Sequence, residues 1–138
     1  MSHILNASCE CGAVQFTSTH APILQLYCHC SDCQHATGNA YARTAFFRLA
    51  DADISGTLAI HRYQAASGAA TTREACASCG TLLFDRSAGF PGLIGVMVET
   101  LGDGFAFSPS CHMWTRSKRV DVTIPDGIAQ FPESPPFS

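Results

Sequence analysis

The sequence predicts a mainly β domain of packed antiparallel sheets with, at most, short helices. Three observations point there. Short apolar or alternating runs recur along the chain, turn signals separate them, and no window of eleven or more residues carries an unbroken helical stripe at i, i+3, i+4, i+7. The length of 138 residues fits one domain, taken as residues 1–138. An apolar share of 46% is enough for a single core.

The first predicted strand covers residues 13–17, where Val14 and Phe16 share a face. Strands at 23–27, 41–49, 58–63, 81–84, 93–98, 105–107 and 120–124 follow. The turns between them are marked by Ala21-Pro22, Ser55-Gly56, Ser67-Gly68, the Gly89-Phe90-Pro91-Gly92 cluster, Gly102-Asp103-Gly104 and Pro125-Asp126-Gly127. One helix is expected after Ser31, a good N-cap, ending before Gly38. The tail from Phe131, with three prolines in its last seven residues, is expected to lie extended on the surface.

Charge and hydropathy exclude several classes. Eight Lys and Arg against eleven Asp and Glu, without a basic block, argue against a nucleic-acid partner. The longest apolar stretch, residues 92–98, is far below the ~18 that span a bilayer, so no membrane association is expected. The N-terminus shows neither the positive nor the apolar region of a secretory signal, which predicts a cytoplasmic protein.

Eight cysteines in a reducing compartment point to metal or thiol chemistry rather than to disulfides. Seven of them form three knots: Cys9-Glu10-Cys11-Gly12, Cys28-His29-Cys30-Ser31-Asp32-Cys33, and Cys76-Ala77-Ser78-Cys79-Gly80. A glycine after a close pair lets the turn adopt positive φ and aim backbone N–H groups at sulfur. Cys9, Cys11, Cys76 and Cys79 therefore make a four-thiolate zinc site that ties the start of the chain to its middle. Four-thiolate iron and a redox CxxC are the competing readings, although the βαβ context of the latter is missing.

The knot of Cys28, Cys30 and Cys33 leaves a fourth position open, as a catalytic zinc requires. From spacing alone, a second structural zinc completed by Cys111, His29, His35, His112 or a partner chain is an equal alternative. Two divalent ions leave thiolate charge in excess, to be shared by turn N–H groups and nearby arginines. Cys111 is expected to be a buried small apolar residue, Phe46 and Phe47 core, and His3, His20 and His61 exposed. Arg43, Arg48 and Arg73 are expected to be solvated strand residues, any of which could pair with a substrate carboxylate. Trp114, beside His112, serves packing or ligand contact.

Together, CECGAVQF at 9–16, CHCSDCQHATG at 28–38 and TREACASCGTLLF at 72–84 resemble the glutathione-dependent formaldehyde-activating enzyme family, also called the centromere protein V/GFA domain family. SCHMW at 110–114 and DGIAQFPE at 126–133 extend the likeness. Ala75 stands where the family often has an aromatic residue, and Asp121 where it has tryptophan. The resemblance implies a β-tent of antiparallel sheets around a zinc ribbon, with two zinc ions per chain. Cys9, Cys11, Cys76 and Cys79 match its structural zinc ligands, and Cys28, Cys30 and Cys33 its catalytic ones. It also implies a carbon–sulfur lyase-type activity, condensation of formaldehyde with glutathione to S-(hydroxymethyl)glutathione. Its partners are then a small thiol and an aldehyde, and a homo-oligomer is compatible with the sequence. An acid must protonate the forming alkoxide, for which His29 and His35 are candidates by proximity in sequence. The alternative from another class is a non-enzymatic zinc-binding module acting through a protein partner. A thiol redox sensor, with Cys28, Cys30 and Cys33 forming disulfides, is a third.

Overall fold

The structure, a computed structural model, describes residues 5–65, 67–102 and 104–134. His3, Asp103 and the last prolines, Pro135 and Pro136, lie outside them. The chain is mainly β, as expected. In order, its strands are β1 (Leu5–Ser8), β2 (Gln15–Ser18), β3 (Leu24–Cys28), β4 (Ala42–Arg48), β5 (Ala52–Ser55), β6 (Leu58–Gln64), β7 (Ala70–Cys76), β8 (Leu82–Ser87), β9 (Leu93–Met97), β10 (Cys111–Met113) and β11 (Ala129–Gln130). One α-helix, α1 (Ser31–Thr37), follows β3. Among the described residues, no helix is long and apolar enough to cross a membrane.

Two sheets form. The smaller has the order β1-β2-β5, and the larger β11-β10-β3-β4-β9-β8-β7-β6. Pairing is antiparallel except at one end of the large sheet, where β10 runs parallel to both β3 and β11. Strand β4 lies in the middle of the large sheet and is buried on both faces from Thr44 to Phe47. Ala45 and Phe47 face a core shared with Val14, Phe16, Phe84, Ile94 and Val96. Within it, Phe16 meets Phe47 edge-on at 5.2 Å between ring centroids. Ala42 and Phe46 face a second cluster with Leu26, Cys28, Cys33, Cys111, Met113 and Trp114. The three-cysteine knot thus sits against the second face of the sheet.

Two expected strands do not form. The 105–107 segment is irregular because Pro109 cannot donate to a ladder and Gly102 turns the chain, although Phe105 and Phe107 still pack on the first core. The 120–124 segment also pairs with no strand. Val120 is fully exposed, and the Val122 carbonyl accepts from Lys118 Nζ at 2.6 Å. Conversely, β1, β5, β7, β10 and β11 form where the sequence predicts none; β1 and β5 alternate apolar and polar residues, but over only four positions each. In β7 the reason is specific: Thr71, Arg73 and Glu74 are buried polar residues, so an inward-facing set looks outward-facing on a hydropathy reading.

The helix ends as expected, with Gly38 at φ 70 and its N–H on the Gln34 carbonyl. Its start differs by one residue. Cys30 is the N-cap, its sulfur accepting from the Cys33 N–H, and Ser31 is the first helical residue.

Candidate metal centres and adjoining site

The structure brings the seven knotted cysteines into two groups. In the first, the Cys9, Cys11, Cys76 and Cys79 sulfurs all lie within 4.8 Å of one another. Cys9 and Cys11 come from the turn after β1, whereas Cys76 ends β7 and Cys79 lies in the turn that follows it. Both turns close through glycine at positive φ, Gly12 at 79 and Gly80 at 77. The Gly12 N–H then reaches the Cys9 carbonyl, and the Gly80 N–H the Cys76 carbonyl. Backbone N–H groups point at sulfur as expected: Val14 to Cys9 at 3.2 Å, and Ser78 and Cys79 to Cys76, each at 3.4 Å. The Val14 N–H lowers the Cys9 thiol below its ordinary value. Sulfur separations of 3.6 Å for Cys9–Cys11 and 3.7 Å for Cys11–Cys76 match the edge of about 3.8 Å that a tetrahedron with Zn–S bonds near 2.3 Å demands. These residues fit a four-coordinate thiophilic ion.

The second group is Cys28, Cys30 and Cys33, supplied by the end of β3, the N-cap and the first turn of α1. Among the described residues, no fourth His, Cys, Asp or Glu joins it. Cys111 is buried in the second core, and His35 is exposed on a shallow recess beside Arg119. Separations of 3.4 Å for Cys28–Cys30 and 2.9 Å for Cys30–Cys33 are shorter than a tetrahedral edge, so the three sulfurs would have to spread to hold an ion. The donor chemistry fits zinc. All eight cysteines are free thiols, and Cys30 is lowered to about 3 by its hydrogen bonds with Cys28 and Cys33.

Residues 28–38 also hold the knot rigid. Gln34 Nε2 bridges the His29 carbonyl at 2.9 Å and the Ser117 carbonyl at 2.8 Å, and Thr37 Oγ1 donates to the Cys33 carbonyl. The three sulfurs open on a recess of about 60 Å³ walled by Phe46, Phe90, Met113 and Trp114. Trp114 is held in the left-handed region at φ 59, and its indole N–H donates to Ser134 Oγ.

Arg73, Tyr63 and Asp85 also reach this recess. Arg73, expected to be solvated, is only 7% exposed. Its Nη2 donates to Cys33 Sγ at 3.2 Å and its Nε to the Tyr63 hydroxyl at 2.9 Å, and its Nη1 stands 3.7 Å from Asp85 Oδ2. The register explains this: Arg73 and Asp85 are cross-strand partners on β7 and β8, and β6 carries Tyr63 on the other side of β7. Burial pushes Tyr63 up to about 12 and Asp85 up to about 6, the latter against the pull of Arg73. Arg43 pairs instead with Glu99, and Arg48 is exposed.

His29 points elsewhere. It lines a separate cavity of about 480 Å³ with Tyr27, Tyr41 and His112, which shares no lining residue with the cysteine recess. Its Nε2 meets His112 Nδ1 at 2.9 Å, and burial lowers it to about 4. His20 and His61 are exposed, and Phe46 and Phe47 are core, as expected.

The profile of the family described as glutathione-dependent formaldehyde-activating enzyme matches residues 4–117. No curated protein matches the chain. The crystal structure of a Rhodobacter sphaeroides protein superposes with a TM-score of 0.55 and 22% identity, covering 74% of this chain and 91% of that one, which is a likeness of fold.

Proposed function

The chain belongs to the glutathione-dependent formaldehyde-activating enzyme family, and on that premise we propose that it is a zinc-dependent carbon–sulfur lyase-type enzyme acting on adducts of glutathione with formaldehyde or a similarly small aldehyde. The observation that carries this reading is the three-sulfur set of Cys28, Cys30 and Cys33, lacking a fourth described ligand and opening on a recess. Zinc held by these residues would supply Lewis acidity and favour the thiolate form of an incoming thiol, whose free pKa is near 8.5. Cys9, Cys11, Cys76 and Cys79 would hold a second ion as a structural tie.

The remaining groups have physical roles in this scheme. Arg73 places a buried cation against Cys33 and offsets the excess thiolate charge. Phe46 and Phe90, stacked at 4.9 Å, form with Met113 and Trp114 an apolar wall that limits water at the reacting atoms. The recess of about 60 Å³ equals roughly two water volumes. It takes a sulfur and a one-carbon aldehyde, leaving the body of the thiol outside against the rim. A cytoplasmic location suits both the free cysteines and a glutathione substrate.

The test is exchange NMR of the glutathione–formaldehyde adduct with zinc-loaded protein, beside a panel of other thiol–aldehyde pairs. Interconversion should accelerate, and Cys33→Ala should remove the acceleration. A rate indistinguishable from buffer for every pair would overturn the proposal.

A further inference from the structure

We propose that Asp85 is the acid–base residue of this site, the proton carrier between the thiol and the aldehyde oxygen. The inference rests on the thiol–aldehyde reading above and adds the residue that reading lacks. Hemithioacetal formation must remove one proton from sulfur and deliver one to oxygen. As the carbon–sulfur bond forms, the C=O π pair moves onto oxygen. The thiol's proton passes to the Asp85 carboxylate and from there to the new alkoxide, so nothing is oxidised and no co-reactant is consumed. The reverse reaction runs the same path backwards.

Geometry selects Asp85. Its carboxylate lines the recess into which Cys28, Cys30 and Cys33 open, whereas His29 and His35 line other surfaces. The side chain is 16% exposed, enough for contact with a small substrate but shielded from bulk water. Its pairing with Arg73 is left unclosed. The distance is 3.7 Å, and Arg73 Nη1, buried, has no hydrogen-bond partner among the described residues. A closed structural ion pair would satisfy both groups. Space for the carboxylate is built into the sheet: Gly95 is its cross-strand neighbour on β9, and a Cβ there would overlap Asp85 Oδ1.

The groups facing Asp85 are Arg73 from β7, Tyr63 from β6, and Cys30 and Cys33 from the start of α1. Tyr63, raised to about 12, keeps its proton at neutral pH and is a poor carrier. Burial lifting Asp85 to about 6 leaves it close to the pH at which it must both accept and release a proton.

The experiment compares wild type with Asp85→Asn, full length and zinc-loaded, with zinc content and melting temperature measured first. Adduct exchange is then followed by NMR from pH 5 to 8. Wild-type kcat should rise with pH through an inflection near 6, because the carboxylate form accepts the thiol proton. Asp85→Asn should lose that inflection and at least about 100-fold in kcat, with KM little changed. Should Asp85→Asn not fold, Asp85→Glu keeps a carboxyl in a displaced position and should lower kcat while moving the inflection. A replacement variant within threefold of wild type, with the same pH profile, overturns the assignment of Asp85 and leaves the thiol–aldehyde reading standing. Absence of any wild-type acceleration overturns both.

Discussion

Arg73 and Cys33 lie 40 residues apart in the chain, yet the guanidinium Nη2 donates to the thiol sulfur at 3.2 Å in a buried contact. A buried cation is stable only where its charge is met, and Cys33, Asp85 and the Tyr63 hydroxyl surround this one. The three-sulfur group, which could hold a metal ion, is therefore provided with its own counter-cation. The other group relies on turn N–H donors instead.

That contact predicts the cost of removing it. Arg73→Gln should destabilise the protein by about 3 kcal/mol, because Asp85 and Cys33 lose their partner in a buried setting. Arg116→Gln should change the melting temperature little, since Arg116 and Glu133 are both more than half exposed. Calorimetric melting of the two variants makes the comparison, and equal shifts would contradict it.

Metal removal should be stepwise. Zinc-saturated protein should carry close to two ions per chain, and a chelator should withdraw the one at Cys28, Cys30 and Cys33 first, without unfolding. That set closes only a six-residue loop, whereas the four-sulfur set joins the β1 turn to the β7 turn. Elemental analysis with circular dichroism during chelation checks both statements.

The same asymmetry should appear on mutation. Cys76→Ser should lower soluble yield and melting temperature more than Cys30→Ser, since metal binding at the first set would be part of the folding free energy. Comparable losses would mean that both sets are structural.

A thiol should bind through its sulfur. Glutathione should bind more tightly than S-methylglutathione, because a thioether offers no anionic ligand. Cys33→Ala should erase that difference. Affinity should rise with pH toward the free thiol's pKa near 8.5, as coordination releases the proton. Calorimetry with both ligands decides it, and equal affinities would remove sulfur from recognition.

Gly95→Ala should destabilise by about 1–3 kcal/mol and disturb Asp85 while leaving the cysteine sets intact. The added Cβ meets Asp85 Oδ1 and, at 2.9 Å, Thr44 Cγ2 in a buried part of the sheet. Zinc content unchanged beside a lowered melting temperature is the expected signature.

Local chemistry in the sequence determined the β class, the helix ending at Gly38 and the gathering of seven cysteines into three knots. Each depends on residues within a few positions of one another: a glycine after a close cysteine pair sets its own turn, and three cysteines in six residues meet through one helical turn. Family resemblance added the chemistry to which those groups belong. The wall of the cysteine-lined recess was decided only by the tertiary structure. Arg73 resembles any strand arginine until the order β8-β7-β6 and the Arg73–Asp85 register turn it inward against Cys33. Adjacency in sequence misled in turn for His29: it stands between two of the sulfurs but lines another cavity, because successive side chains at the end of an extended strand point to opposite faces. Cross-strand register is a non-local property, set by how two sheets bury their faces together, and no short stretch of the sequence contains it.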